Sequence, residues 1–139
     1  MFVLDTNILS EMMREIRVPE VAAWVNGQDE DLLFTTSISQ AEIFAGLGVM
    51  PDGRRRRTLE KTALEMFAEF EGHVLPFDAD AATAYAELYP ARRKAGRPSA
   101  PFDLMIASIA RSQGATMVTR NTGDFEGCGL TLINPWEAT

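Results

Sequence analysis

The chain begins with the stretch Phe2-Val3-Leu4-Asp5-Thr6-Asn7-Ile8-Leu9, in which a short apolar run ends at a carboxylate. The three apolar residues before Asp5 are typical of a buried strand. The apolar residues between positions 8 and 13 then recur at the spacing of one helix face. The stretch therefore predicts a strand followed at once by a helix, with an acid at the junction.

The same alternation of strand and helix patterns continues to the other end of the chain. Further strands are predicted at 32–35, 74–75, 116–119 and 130–133, and further helices begin near positions 19, 39, 54, 78 and 101. Strands that alternate with helices favour parallel pairing with right-handed crossovers, which place helices on both faces of the sheet. The pattern predicts an α/β sandwich with a mainly parallel central sheet.

The length of 139 residues and the hydrophobic content of 46% suit one domain with its own core. Neither an internal repeat nor a linker divides the sequence, so we predict a single domain over 1–139. No stretch approaches the roughly 20 apolar residues that cross a bilayer, and the N-terminus lacks the pattern of a secretory leader. We therefore expect a cytoplasmic protein that does not bind membranes.

Positive charge is concentrated in two clusters, although the formal net charge is −7. One cluster is Arg54 to Arg57, and the other consists of Arg92, Arg93, Lys94 and Arg97. An acidic protein is a poor general partner for nucleic acid, because Lys and Arg make the contacts with phosphates. Each cluster is therefore either a solvated helix face or a local contact for an anion.

Acidic residues follow the predicted strands at their carboxyl ends, where open α/β sheets bind ligands. Asp5 follows the first strand, Glu42 lies early in the helix after the second, and Asp124 follows the fourth. Asp103 lies in the first turn of the helix that leads into the fourth strand. Because parallel strands end at the same edge of a sheet, we expect these acids to converge.

Each acid also has a purely structural explanation. Asp5 can cap the first helix. Glu42 can complete a capping box with Ser39, although an alternative box over 37–40 leaves Glu42 free. A negative charge at Asp103 interacts favourably with the dipole of its helix.

Taken together, the acids indicate a metal site. Two carboxylates about 4 Å apart repel by roughly 4 kcal/mol at an effective dielectric near 20, so converging acids destabilise a domain unless a cation lies among them. Oxygen ligands without histidine or cysteine suit Mg²⁺ or Mn²⁺. Such an ion can polarise a phosphoryl oxygen and activate water, as hydrolysis of a phosphodiester requires.

Several short segments resemble a known family in their order and spacing. They are Leu4-Asp5-Thr6-Asn7, Ser37 with Gln40 and Glu42, Phe102-Asp103-Leu104, Val118-Thr119-Arg120-Asn121 with Asp124-Phe125, and Ile133-Asn134-Pro135-Trp136. Over essentially its whole length the chain resembles the PIN-domain ribonucleases of the VapC toxin type, especially the FitB-like branch.

This resemblance implies a single PIN domain with a three-layer sandwich fold and the activity of a Mg²⁺- or Mn²⁺-dependent endoribonuclease. It also implies that the protein is the toxin of a type II toxin-antitoxin pair. Such a toxin forms a homodimer and is silenced by a cognate VapB-like antitoxin that also binds DNA, which gives a higher assembly.

By position, the resemblance assigns catalysis and metal binding to Asp5, Glu42 and Asp103. The fourth acidic position is open, because some relatives carry Asp where this chain has Asn121. Either Asp124 supplies that charge or a second metal is held weakly. The residues expected to support the acids are Thr6, Asn7, Thr119 and Asn121. The arginines expected to hold the RNA backbone at the rim are Arg54, Arg55, Arg92 and Arg93.

Two other classes of protein remain as alternatives. A phosphoaspartyl phosphatase or hydrolase also places an Asp after its first strand, but it requires a second Asp two residues later, where this chain has Asn7. A non-catalytic binding module would use the acids only as helix caps. Nuclease activity that chelation abolishes would separate these alternatives from a metal-dependent ribonuclease.

Overall fold

The structure is a computed structural model that describes residues 1–137, which form five strands and six helices. The strands are β1 (Phe2–Leu4), β2 (Leu33–Thr36), β3 (Val74–Leu75), β4 (Thr116–Val118) and β5 (Leu132–Ile133). The helices are α1 (Thr6–Met12), α2 (Pro19–Asn26), α3 (Ser37–Gly48), α4 (Arg54–Glu69), α5 (Ala79–Lys94) and α6 (Pro101–Ser112). Short 3₁₀ turns lie at Glu30–Leu32 and Thr122–Phe125.

The sheet has the strand order β3-β2-β1-β4-β5, and every pairing within the described chain is parallel. Phe2 of β1 lies opposite Leu33 of β2 on one side and opposite Thr116 of β4 on the other. β1 is therefore the central strand, and the chain extends the sheet first to one side of it and then to the other. The crevice between β1 and β4, where this direction changes, is where open α/β sheets bind ligands.

Successive residues of β1 are buried against different helices. Leu4 belongs to an apolar cluster with residues from α1, α2, α3 and α4, whereas Val3 belongs to a cluster with residues from α6. Both side chains are fully buried. Because alternate residues of a strand point to opposite faces, helices cover both faces of the sheet. The predicted α/β three-layer sandwich is confirmed.

Helix α3 begins at Ser37, two residues earlier than predicted, because Thr36 caps it. The Thr36 hydroxyl accepts a hydrogen bond from the backbone N–H of Ser39 at 3.1 Å. Both predicted capping boxes are therefore wrong, since neither Ser37 nor Ser39 is the N-cap. Glu42 consequently lies in the second turn of α3, and its carboxylate is not needed at the helix terminus.

The other elements agree with the predicted pattern except at a few ends. β5 covers only Leu132–Ile133, two residues fewer than predicted, because only Met117 and Val118 of β4 pair with it. α5 continues through Pro90 and ends at Lys94. Among residues 1–137, no helix has both the length and the apolar character needed to cross a membrane.

Candidate active site

A cavity of about 650 Å³ lies beyond the carboxyl ends of the central strands. Three of the predicted acids, Asp5, Glu42 and Asp103, contribute to its wall although they come from the end of β1, from α3 and from α6. The complete lining is Asp5, Thr6, Asn7, Ser10, Glu11, Arg14, Glu42, Arg55, Asp103, Arg120, Asn121 and Trp136. The topology thus brings together acids that are far apart in the sequence.

The Asp5 carboxylate is held by hydrogen bonds from the start of α1 and from the residue after β4. Its Oδ1 accepts a bond from the backbone N–H of Thr6 at 2.8 Å, so it also caps α1 as the structural explanation predicted. Its Oδ2 accepts a bond from the hydroxyl of Thr119, the residue after β4, at 2.8 Å. Only 5% of Asp5 is exposed. Both oxygens of this buried carboxylate therefore have a donor, and neither donor carries a charge.

Every hydrogen-bonding position of the Thr119 hydroxyl is occupied. Besides donating to Asp5, it accepts from the backbone N–H of Asn121 at 3.1 Å and from Nδ2 of Asn7 at 3.3 Å. A hydroxyl offers one donor and two acceptor positions, so these three bonds fix its orientation. The predicted supporting residues Asn7, Thr119 and Asn121 are thus brought together around the first acid.

Glu42 is oriented by a second group of hydroxyls. The Thr6 hydroxyl lies 2.9 Å from Oε1 of Glu42 and 2.9 Å from the hydroxyl of Ser39. Because a carboxylate only accepts, Thr6 donates its proton to Glu42. Ser39 is fully buried and also contacts the Thr36 hydroxyl at 3.3 Å. This contact connects Glu42 to the cap of its own helix.

The carboxyl pKa values show that the acids affect one another. Burial raises the pKa of Asp5 to about 6 against the hydrogen bonds from Thr119 and Thr6, and the charges of Asp103 and Glu42 contribute to this increase. Burial also raises the pKa of Asp103, and the charges of Glu42 and Asp124 add to that effect. The acids therefore form one electrostatic unit, as their convergence predicted.

The donor atoms of this cavity suit a hard divalent cation, since its acids offer only oxygen and neither His nor Cys lies in the lining. Within residues 1–137, however, no three acidic, histidine or cysteine side chains are already gathered at metal-binding distances. Asp5, Glu42 and Asp103 are therefore the residues that would hold such an ion, after movement of their side chains towards it.

The two candidates for the fourth position differ in location. Asn121 lines the cavity directly. Asp124 lies in the 3₁₀ turn that follows, is exposed, and donates its backbone N–H to the carbonyl of Asn121 at 3.0 Å. Although Asp124 does not line the cavity, its charge acts on Asp103. Both residues therefore remain candidates.

The predicted RNA-binding arginines occupy different environments. Arg55 lines the acidic cavity, and Arg54 and Arg55 both line an adjoining groove. Arg93 is exposed, and its guanidinium lies 5.6 Å from the ring centroid of Tyr89. These three arginines are accessible to an anion.

Arg92 does not fit its predicted role in RNA binding, because it is buried with only 6% exposed. Its guanidinium donates to the backbone carbonyl of Glu126, to that of Asp124 at 2.9 Å and to the hydroxyl of Ser99 at 3.0 Å. A buried charge needs such a set of partners. Arg92 therefore connects α5 to the turn containing Asp124 and to the segment before α6.

A family model described as the PIN domain matches residues 2–127. The chain belongs to the PIN-domain family. The match covers the three predicted acids Asp5, Glu42 and Asp103. It also covers Thr119, which donates a hydrogen bond to Asp5.

Three relatives match this PIN domain over nearly its whole length. It is 44% identical to the plasmid stability protein StbB of Pseudomonas syringae pv. tomato, with 99% of this chain and 100% of that protein covered. It is 38% identical to VapC ribonuclease Y4jK of Sinorhizobium fredii, with 99% of each chain covered. Toxin FitB of Neisseria gonorrhoeae is 31% identical, with 98% of this chain and 99% of the toxin covered.

The fold agrees closely with a solved structure. The crystal structure of FitAcB from Neisseria gonorrhoeae contains a chain that superposes on this PIN domain with a TM-score of 0.92 at 29% identity. The superposition covers 99% of this chain and 100% of that chain. The predicted resemblance to the VapC type and to its FitB-like branch is confirmed.

Sequence reasoning missed several residues of this site, among them Ser39 and Trp136. Ser39 was considered only as a helix cap, yet its position one helical turn before Glu42 places both on the same face of α3. Trp136 was noted only as part of the terminal motif, yet it forms part of the cavity wall. The spacing signal could have found Ser39, whereas no local pattern places Trp136 beside residues more than 90 positions away.

We predict that the stability of the metal-free PIN domain falls as pH rises from about 4 to about 6. The pKa of Asp5 is raised to about 6 in the folded state, whereas an unfolded Asp titrates near about 3.9. In this window the folded state holds a proton that the unfolded state has lost, so the free energy of unfolding decreases with pH. The loss is roughly 3 kcal/mol at most, since a tenfold change in proton affinity is worth about 1.36 kcal/mol.

Urea unfolding in chelator at several pH values checks this effect by comparing the parent with Asp5→Asn. The stability of the variant relative to the parent should increase between pH 4 and pH 7. Asp80→Asn changes an exposed acid on α5 and should give a profile parallel to that of the parent. A parallel profile for Asp5→Asn would show that Asp5 is not the perturbed group.

Proposed function

We propose that this PIN domain is a metal-dependent endoribonuclease that acts as the toxin of a type II toxin-antitoxin pair. The observation that carries the proposal is the convergence of Asp5, Glu42 and Asp103 on one cavity at the crevice beside β1. Full-length similarity to proteins named VapC ribonuclease and toxin FitB supports both the activity and the biological class.

In this proposal Asp5, Glu42 and Asp103 hold Mg²⁺ or Mn²⁺ beside the scissile phosphodiester. When bound, the cation stabilises negative charge on the phosphoryl oxygens and increases the acidity of a nearby water. Thr119 and the Thr6 backbone hold Asp5 in one orientation. The Thr6 hydroxyl does the same for Glu42. Because these donors are neutral, they fix the carboxylates without cancelling the charge that attracts the cation.

We predict that Asp5→Asn and Asp103→Asn each reduce RNA cleavage to background, because each removes a negative charge from the cation site. Addition of EDTA to the parent should have the same effect, and Mn²⁺ should restore its activity. The measurement is the appearance of new RNA ends with purified protein, and Asp80→Asn is the control for loss of an exposed acid. Near-parental cleavage by either cavity variant would contradict the site, and chelator-resistant cleavage would contradict the metal.

We predict that Asp124→Ala reduces RNA cleavage more than Asn121→Ala does. A carboxylate offsets the charge of a divalent cation, whereas an amide oxygen does not, and the charge of Asp124 already acts on Asp103. Cleavage across a Mn²⁺ titration measures the ranking. The reverse ranking would assign the fourth position to Asn121, which lines the cavity.

The proposed antitoxin has a surface to occupy beside the acids. A groove of about 1420 Å³ runs between α1, α3 and α4. The residues that it shares with the acidic cavity are Thr6, Ser10, Arg14, Glu42 and Arg55. Its apolar lining is Met13, Ile16, Ile43, Leu47 and Leu59. Ile16 is 82% exposed in the isolated chain. These features support an antitoxin segment that packs in the groove and places an Arg or Lys among the acids.

We predict that reversal of the charge at Arg54 and Arg55 weakens RNA binding. Arg54→Glu/Arg55→Glu should raise the KM for RNA and weaken its salt dependence, because two contacts with phosphates are lost. Lys61→Glu on the same helix is the control, since it lies outside both cavities. Unchanged salt dependence would exclude the two arginines from RNA binding.

The inhibition itself is tested with the antitoxin of the same operon, expressed with and without its basic C-terminal residues. The intact antitoxin should inhibit cleavage fully, and the truncated antitoxin should bind the groove but inhibit incompletely. Equal inhibition by both would contradict the entry of a basic side chain into the cavity. A homodimer of the toxin stays a prediction, which sedimentation of the purified chain measures.

A further inference from the structure

Arg120 lies at the wall of the acidic cavity in an unusually constrained position. Its backbone N–H donates to Oδ1 of Asn7 at 3.4 Å, and its carbonyl accepts from Nδ2 of Asn134 at 3.1 Å. Its guanidinium carbon lies 5.1 Å from the ring centroid of Trp136. An exposed arginine is normally free to sample many rotamers, so contacts at both its backbone and its side chain indicate a fixed direction.

One side chain fixes both members of the Arg120–Trp136 pair. Asn134 donates from Nδ2 to the carbonyl of Arg120 and accepts at Oδ1 from the backbone N–H of Trp136, at 3.1 Å and 2.9 Å respectively. The terminal segment after β5 therefore holds the indole against the residue after β4. The Arg120–Trp136 cation–π pair joins two chain segments through a specific bridge and is not an incidental surface contact.

The charge of Arg120 is not neutralised by the acids around it. Within residues 1–137, Arg120 has no carboxylate within 4.0 Å, although Asp5, Glu42 and Asp103 line the same cavity. Arg14, which also lines the cavity, is paired with the buried Glu11 at 3.2 Å. A cation–π contact does not neutralise the guanidinium and leaves N–H groups that can donate to an anion.

We propose that Arg120 is a substrate-positioning residue that binds an RNA phosphate beside the bond to be cut. The edge of the guanidinium forms a bidentate contact with two phosphate oxygens, while its face stays on Trp136. This inference rests on the proposed nuclease function. It adds the residue that binds the RNA backbone beside the acidic side chains of the cavity. A protein of net charge −7 needs such a local cation, because its overall field repels RNA.

The experiment measures kcat and KM for cleavage of a single-stranded RNA of mixed sequence in Mn²⁺ at several KCl concentrations. Arg120→Met should raise KM more than it lowers kcat. It should also reduce the slope of log KM against log salt by about 0.7, the value for one phosphate contact on a single strand. Arg120→Lys should keep the parental slope with a KM between those of the parent and the Met variant.

The matched control is Arg111→Met. Arg111 lies eight residues after Asp103 on α6, about 12 Å along the helix axis, and pairs with Glu87 at 3.6 Å outside the cavity. Arg111→Met removes one positive charge, as Arg120→Met does. It should keep the parental KM and the parental slope of log KM against log salt. Thermal unfolding in EDTA shows whether each variant is folded, and Arg120→Gln replaces Arg120→Met if the latter is not.

The possible results are distinct. If the parent cleaves RNA and the neutral Arg120 variant keeps the parental KM and salt slope, this inference is wrong while the proposed function stands. If the neutral variant and Arg120→Lys lose the same activity with unchanged salt slopes, Arg120 has only a packing role and the inference is also wrong. Failure of the parent itself to cleave RNA in Mn²⁺ would overturn the proposed function and the inference together.

Discussion

The central strand β1 imposes the constraint on which the site depends. It is only three residues long, it is paired on both edges, and Val3 and Leu4 are fully buried on opposite faces. The residue that follows must therefore leave the sheet at its most enclosed point. Because that residue is Asp5, a carboxylate is placed where burial raises its pKa. Its position is a direct consequence of the strand order.

The structure keeps opposite charges apart within one small cavity. Asp5 and Glu42 are held by the hydroxyls of Thr119 and Thr6, which orient a carboxylate without neutralising it. Two of the three arginines of the wall are held elsewhere, with Arg14 on Glu11 and Arg120 on Trp136. Direct ion pairs across the cavity would stabilise the isolated protein but would occupy the groups that bind a cation and a phosphate. Functional sites commonly carry such a cost in stability.

The sequence predicted those parts of the structure that local pattern determines. Alternating strand and helix signals predicted a parallel sheet, and the rule that ligands bind at strand ends predicted that Asp5, Glu42 and Asp103 converge. The assignment of Thr36 as the cap of α3 was missed, because several neighbouring hydroxyls satisfy the same pattern. Only the three-dimensional arrangement distinguishes among them.

Arg92 and Trp136 show a second limit of local pattern. Arg92 belongs to a basic cluster whose pattern predicts a solvated helix face or an anion contact. It is nevertheless buried, and backbone carbonyls more than 30 positions away accept hydrogen bonds from its guanidinium. Trp136 reaches the cavity only because β5 pairs beside β4. Such contacts depend on how distant segments meet, which neither periodicity nor residue spacing specifies.

The order in which the chain is synthesised gives the strand arrangement one more consequence. Asp5 is synthesised before its partner Thr119, which lies 114 positions later. Chains fold from the N-terminus as they are made, but β1 lacks its second neighbour until β4 has left the exit tunnel. A site divided in this way is incomplete on the nascent chain. The Asp5 carboxylate gains its Thr119 donor only after the segment that carries β4 has been made.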